Sequence, residues 1–391
     1  MINQIIFIFL FFSSIAVFSF SIYRIYHFYL ITKPIRYHNW YSRLSILLKV
    51  GFGQSKLFRL HFAGLLHALL FWGFLVISFG TLEMVVDGFT NNHQSFQGLG
   101  TIYNIINLSI QIMGGIILIV AIIFLSRRLF VNIPRFNAPE LKRKGKREAI
   151  LILSLIILLM ITLFFISSSA FAWWLHIILI FVFLNLLPYS KHFHIITAAP
   201  NLLLADLEAP SKMKHMKNIE HEVRAMLHPE QTLEVSDIVP ERFGIKDIED
   251  LTRKHYLDAL SCTQCGRCTN ACPANRTGHK LSPRKIVMDV RERMNEKGPL
   301  LLKNGLAADD HKSLLGNYIT EEELWACTTC GACVQECPVM INPMAIILEM
   351  RRYLVMEEGT APAGITAVFA NIENNGSPWQ ISSDQRTSWI K

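Results

Sequence analysis

The stretch CTQCGRCTNACP, at Cys262–Pro273, decides how the second half of this chain folds. A second stretch, CTTCGACVQECP at Cys327–Pro338, repeats its spacing, and the two together contain all eight cysteines of the sequence. The spacing C-x2-C-x2-C-x3-C-P is typical of bacterial [4Fe-4S] proteins. Gaps of two residues let three thiolates converge from one tight loop, and the longer gap directs the fourth thiolate elsewhere. The sequence therefore predicts two [4Fe-4S] clusters.

The fourth cysteine of each run is expected to bind the cluster of the other run. The cluster 1 site then consists of Cys262, Cys265, Cys268 and Cys337. The cluster 2 site consists of Cys327, Cys330, Cys333 and Cys272. Two other uses of cysteine are disfavoured, because a reducing cytoplasm opposes a disulfide framework and zinc sites use paired cysteines.

The segment between the two runs predicts helices around the clusters. Its 54 residues are too many for the small ferredoxin fold, and Ser282 with Pro283 has the pattern of a helix start. Asn342 and Pro343 begin a second amphipathic stretch after Pro338. We therefore expect an α-helical ferredoxin domain.

The first half of the chain has the composition of a membrane module. Four runs lack any charged side chain, and they lie at 1–23, 60–82, 88–126 and 149–190. One crossing takes about 20 residues, so the last run of 42 residues predicts two helices with a break at Ser167–Phe171. The sequence thus predicts five transmembrane helices. A cleaved signal peptide is disfavoured because the first apolar run has no positive residue before it.

Basic residues are concentrated in two connections between these runs. Arg24–Arg59 has seven basic residues and no acid, and the basic loop, defined as Arg127–Arg147, has eight and one acid, Glu140. The connections at 83–101 and 167–171 have no Lys or Arg. The positive-inside rule then predicts a plasma-membrane protein with its N-terminus outside and its cysteine runs in the cytoplasm. The net charge of +8 is explained by this topology, so nucleic-acid binding is not expected.

Four histidines are candidate ligands of b-type heme, and they are His61, His67, His176 and His194. His176 and His194 are 18 residues apart, which would put them on one face of a single helix. Imidazoles serve as axial heme ligands, and intramembrane ionisable residues are often functional. An inner heme is expected between His194, or His192, and His61, with His67 as the alternative inner ligand. An outer heme would use His176 and require His67 to reach it.

These features resemble known families. The histidine-bearing helical part resembles the cytochrome b gamma subunit of respiratory nitrate reductase and the membrane subunit of heterodisulfide reductase. The stretch from Leu257 to Met294 resembles the iron–sulfur subunit of heterodisulfide-reductase-type complexes, and the fusion resembles membrane electron-transferring flavoprotein:menaquinone oxidoreductases. The resemblance and the motifs together predict an all-α chain, with a five-helix heme b bundle at 1–190 and a connector at 191–250. An α-helical ferredoxin domain at 251–360 and a tail at 361–391 complete the expected organisation.

The resemblance also implies a function. We expect a membrane-bound oxidoreductase subunit that passes electrons between a cytoplasmic partner and menaquinone, with no catalytic residue of its own for a soluble substrate. Such relatives continue into cysteine-rich CCG domains, which this sequence lacks, so the resemblance implies a separate CCG-domain subunit and an electron-transferring flavoprotein as partners. Phe71, ten residues after His61, stands where the nitrate reductase family has a histidine. The alternative function is a membrane-anchored iron–sulfur redox sensor, or an assembly anchor, without quinone chemistry.

Overall fold

The computed structural model describes residues 1–141, 143–209, 212, 216–228 and 242–390, and these residues fold mainly into helices. The first half contains α1 (Ile2–Ile31), α2 (Trp40–Ile46), α3 (His61–Thr90), α4 (Thr101–Phe130), α5 (Arg143–Leu163) and α6 (Ala170–Leu186). The middle contains α7 (His194–Leu203) and α8 (Lys217–Leu227). The second half contains α9 (Arg253–Ser261), α10 (Arg267–Ala271), α11 (Pro273–Arg276), α12 (Pro283–Asn304), α13 (Glu321–Trp325), α14 (Ala332–Glu336), α15 (Pro343–Met356) and α16 (Ala363–Asn375). No strand forms within the described ranges, as the all-α prediction requires.

Four of the described helices are long and apolar enough to cross a membrane, namely α1, α3, α4 and the segment Ala170–Tyr189 that contains α6. The predicted break between the last two crossings is present, because α5 ends at Leu163 and the hydroxyl of Ser169 caps α6 by accepting from the amide of Ala172. The fifth crossing was predicted where α5 lies, and α5 is not among these four, because its charged first turns leave an apolar part only from Ala149 to Leu163.

Close packing of these helices depends on glycine. A Cβ added at Gly88 of α3 would lie 2.5 Å from ring atoms of Phe7 in α1. A Cβ added at Gly73 would lie 2.8 Å from the side chain of Ile117 in α4. Since lipid is as apolar as the side chains themselves, such close approach is a main source of helix association in a membrane.

The expectation that His176 and His194 share one helix is wrong. The α6 helix ends at Leu186, and short 3-10 turns at Leu187–Tyr189 and Lys191–Phe193 separate it from α7. Pro188 has no amide hydrogen to continue the helix, and the hydroxyl of Ser190 accepts from the amide of His192. His194 therefore begins a new helix, α7, and the axis of α7 does not continue the axis of α6.

The predicted connector is partly described. In α7, the carbonyl of Thr197 accepts from the hydroxyl of Ser261 at 3.2 Å, and the side-chain amide of Asn201 donates to the carbonyl of Val339 at 2.9 Å, so this helix packs against the second half of the chain instead of lying in solvent. The α8 helix follows, and the predicted connector residues 229–241 lie outside the described residues.

The second half of the chain is built around α12. The predicted start of this helix is confirmed, because the hydroxyl of Ser282 accepts from the amide of Lys285 and Pro283 occupies the first position. Asn342 caps α15 in the same way, by accepting from the amide of Ala345. Buried apolar side chains of α12 and α15 share one core with α9 and with Phe28 of α1.

The second half packs against the end of the bundle where the basic connections lie. Lys33 exchanges backbone hydrogen bonds with Leu251 and Arg253, just after α1. The guanidinium of Arg291 donates to the carbonyls of Pro188 and Ser190, just after α6. The connection that contains Lys33 therefore lies at the end of the bundle that carries the cysteine runs, and the ion pair of Glu140 with Arg284 brings the basic loop to the same end.

Candidate metal centre

The two cysteine runs have the same backbone conformation. Gln264 and Thr329, each directly before the second cysteine, have φ of 57° and 55°. Gly266 and Gly331, each directly after it, have φ of 73° and 72° and begin the helices α10 and α14. The repeated spacing therefore produces repeated geometry.

Gly266 is required by its surroundings as well as by its φ. A Cβ at this position would lie 2.5 Å from Nη1 of Arg284 and 3.2 Å from the carbonyl oxygen of Arg135. Glycine thus lets the cysteine loop approach a buried guanidinium and the basic loop of the membrane module.

The structure places the fourth cysteine of each run beside the other run. A single cavity is lined by Cys262, Cys265, Cys268 and Cys337, which are the four members of the cluster 1 site. Cys272 lies within electrostatic range of Cys327 and Cys333, which belong to the cluster 2 site. The helices α10 and α14 pack against each other, and this contact carries each fourth thiol across.

Burial disfavours the thiolate form of these cysteines when no metal is bound. Desolvation raises the pKa of Cys262 to about 11, and it raises the pKa of Cys333 and of Cys337 to about 12. A thiolate is the ligand form, and a bound cation restores it by supplying positive charge where water is excluded. The donor set, all sulfur and all buried or half-buried except Cys330, fits an iron–sulfur cluster.

Arginines surround the cluster 1 site. Arg284 is 1% exposed in its side chain, and its guanidinium pairs with Glu140 of the basic loop at 2.7 Å. Arg267 is buried and donates from Nη1 to the carbonyl of Lys56 at 3.1 Å and from Nη2 to that of Leu57 at 3.2 Å. Both contacts join the cysteine loop to the membrane module. The spacing of residues in the sequence predicted neither contact.

His67 and His194 face each other beside this site. Their ring centroids are 6.4 Å apart, and the rings are inclined by 41°. Nδ1 of His194 lies 3.0 Å from the carbonyl oxygen of Lys191, and Nδ1 of His67 lies 3.4 Å from Oε1 of Gln54. Each contact occupies Nδ1, so Nε2 is the nitrogen that would bind a metal. Burial also lowers the pKa of His194, which keeps that imidazole neutral as axial ligation requires.

The spacing of this pair fits two axial ligands of one iron. Metal–imidazole bonds are about 2 Å, so two opposed nitrogens lie about 4 Å apart and the ring centroids somewhat more than 6 Å apart. Arg267 lies within electrostatic range of His67, so the pair adjoins the cluster 1 site. The separation of the two imidazoles is therefore the one that two ligands of a single metal ion would have.

The other histidines lie elsewhere. His61 is exposed at the first position of α3, so the structure brings His67 and not His61 to His194. His176 is 2% exposed and bonds through Nδ1 to the hydroxyl of Thr162 at 2.7 Å, a contact with α5 that brings no second imidazole. His192 lies 6.0 Å from His194 between ring centroids, and burial lowers the pKa of His192 to about 3.

The cysteine segment matches a known family. Residues 261–341 match the 4Fe-4S dicluster domain. No solved structure matches the chain.

Curated relatives extend the likeness over most of the chain. The probable iron–sulfur-binding oxidoreductase FadF of Bacillus subtilis is 29% identical over 89% of this chain and 55% of its own length. The EtfAB:quinone oxidoreductase of Syntrophomonas wolfei is 28% identical over 87% of this chain and 52% of its own length. One subunit of the ferredoxin/F420H2-dependent CoB–CoM heterodisulfide reductase of Methanosarcina acetivorans is 34% identical over 29% of this chain and 56% of its own length.

These relatives confirm the predicted resemblance to heterodisulfide-reductase-type iron–sulfur oxidoreductases and the assignment to the oxidoreductases. The chain spans about half the length of the first two relatives. The relatives therefore support iron–sulfur redox chemistry for this chain, whereas its electron donor and acceptor have to be inferred from the site.

Proposed function

We propose that this chain is a membrane electron-transfer subunit that connects a cytoplasmic redox partner to the menaquinone pool. The N-terminus lies outside, and the dicluster domain lies in the cytoplasm. The observation that carries the proposal is the His67–His194 pair, because it lies between the first cysteine loop and an apolar bundle. A quinone as acceptor is supported by the name of one relative, the EtfAB:quinone oxidoreductase, and menaquinone is the quinone that we propose.

The residues of the chain have separate tasks in this proposal. The two sets of four cysteines would hold the clusters, with Cys337 and Cys272 exchanged between the runs. His67 and His194 would hold one heme b, and Gln54 and Lys191 orient the two imidazoles by their contacts with Nδ1. Clusters and heme supply one-electron transfer when bound. Arg267 bridges the cysteine loop and the membrane module, and so fixes the distance between these sites.

The dicluster part is tested by iron content. Protein purified without oxygen should contain about eight irons beyond any heme iron, four for each cluster. Iron for one cluster alone, or zinc in equal amount to the chain, would contradict two [4Fe-4S] sites.

The heme part is tested by absorbance spectra of the reduced protein. His67→Ala and His194→Ala should each remove the same b-type bands, because one iron needs both axial nitrogens. His61→Ala is the matched control on the same helix, and it should retain those bands because His61 is exposed. Full bands in either of the first two variants would refute the pair.

Quinone chemistry is tested with the same protein. Reduced heme bands should disappear when a menaquinone analogue is added under nitrogen. Bands that persist, together with intact clusters, would favour the redox-sensor function. A CCG-domain subunit and an electron-transferring flavoprotein are the proposed partners, and co-purification in mild detergent is the test for them.

A further inference from the structure

The duplicated cysteine motif allows a comparison of what covers each loop. Thr328, Thr329 and Cys330 are exposed, although their counterparts Thr263, Gln264 and Cys265 are half-buried. The two loops have the same backbone conformation, so the difference arises from their surroundings.

The membrane module covers the first loop. The residue after Gly266 is Arg267, whose guanidinium reaches two carbonyls before α3, whereas the residue after Gly331 is Ala332, which has no such group. The basic loop adds a second contact, since Arg284 donates to the carbonyl of Arg135 at 2.7 Å and to that of Gln264 at 3.4 Å.

The membrane module reaches the second motif at α14 and leaves its loop uncovered. Lys56 lies 3.4 Å from the carbonyl of Val334, and Arg59 pairs with Glu336 at 2.8 Å. The loop Thr328–Cys330 presents two short side chains without formal charge to solvent, those of Thr328 and Thr329, directly beside Cys330, an exposed member of the cluster 2 site. A partner that carries its own redox centre can approach such a surface closely without having to desolvate a fixed charge.

We propose that Thr328–Cys330 is the docking surface for a soluble protein that carries a one-electron centre. The cluster 1 site is then internal and faces the His67–His194 pair. One electron lost by the partner's centre is gained at the cluster 2 site, and no bond or proton has to change. This inference rests on the proposed function and adds the surface at which the partner binds.

The experiment uses the full chain with its clusters and flavodoxin as the one-electron donor. Thr328→Cys, labelled with a polyethylene glycol maleimide after the clusters are assembled, should reduce the rate of cluster reduction at least tenfold. Lys303→Cys with the same label is the control, because Lys303 is exposed and lies 20 residues along α12 from Pro283, about 30 Å away. Unchanged reduction in the labelled Thr328→Cys protein, or equal slowing in the control, would overturn the proposal.

A second measurement needs no substitution. A water-soluble dysprosium chelate should shorten the electron-spin relaxation of one reduced cluster much more than that of the other. The label at position 328 should remove most of this effect. Equal relaxation of both clusters would overturn the proposal. Failure of the unlabelled chain to reduce a menaquinone analogue would refute the proposed function instead. The two failures can be told apart, because the experiment with flavodoxin measures only the reduction of the clusters.

Discussion

The buried ion pair between Glu140 and Arg284 should hold the membrane module onto the cluster 1 site. Glu140→Gln removes the charge and keeps the size of the side chain. The two side chains are 9% and 1% exposed, and the carboxylate also accepts from the hydroxyl of Ser282 at 2.6 Å. Removing one partner of a buried pair costs about 3–5 kcal/mol because the other charge stays buried. We expect about 3 kcal/mol, since Arg284 keeps the carbonyl of Arg135 as an acceptor.

The assay is hydrogen–deuterium exchange of the amides at 131–141, followed by mass spectrometry. A loss of about 3 kcal/mol in docking should speed their exchange on the order of 100-fold. Glu322→Gln is the control, because it breaks the exposed pair with Lys280 and should leave the exchange of this loop unchanged. Unchanged exchange in Glu140→Gln would refute the role of the pair.

Two further arms distinguish charge from packing. Replacing both partners, with Glu140→Leu and Arg284→Met, should restore much of the protection because no buried charge then lacks a partner. Burial alone would raise the pKa of Glu140, but Ser282 and Arg284 lower it below 4.5, its ordinary value. The contribution of the pair is therefore complete above pH 4.5 and is lost as the pH falls further, so Glu140→Gln should lack this acid-induced loss.

Three other predictions follow from the same region. Cys337→Ser should perturb the cluster held by the first motif and leave the other cluster's electron paramagnetic resonance signal in place, and damage confined to the second motif's own cluster would contradict the exchange of ligands. Arg267→Gln should lower the midpoint potential at the cluster 1 site by roughly 40 mV in a redox titration. The substitution removes about 1 kcal/mol of favourable charge interaction with the reduced, more negative state. A rise in the midpoint potential would refute this prediction. Burial lowers the pKa of Lys191 to about 8, so the unfolded chain holds a proton between pH 8 and 10.5 that the folded chain has released. Wild-type stability should therefore rise over that pH range in thermal unfolding, and Lys191→Met should not show the rise.

Local chemistry explains which elements could be predicted from the sequence. Ser282, Asn342 and Ser169 cap the helices that follow them, and each needs only an amide three residues away. The C-x2-C-x2-C-x3-C spacing likewise encodes a loop within twelve residues. Such features depend on little beyond their own segment, so pattern alone is sufficient to find them.

The histidine pair depends on contacts that no spacing encodes. Pro188 and Ser190 end α6 and redirect the chain, so the count of residues from His176 no longer gives the position of His194. Gln54 comes from the connection before α3, and it favours His67 over His61 by contacting it. The sequence showed Glu140 as the one acid of the basic loop, but its partner Arg284 is far along the chain.

The proposed exchange of fourth cysteines would make the two cluster sites dependent on one another during biosynthesis. A growing polypeptide that has emerged only as far as the first motif offers three thiolates to an incoming cluster, because Cys337 has yet to be translated. Cluster delivery to either site is thus complete only after both motifs have left the ribosome and α10 has met α14. A frameshift or cleavage between the motifs would therefore leave neither cluster site with its fourth cysteine, whereas Cys337→Ser removes a ligand from the cluster 1 site alone.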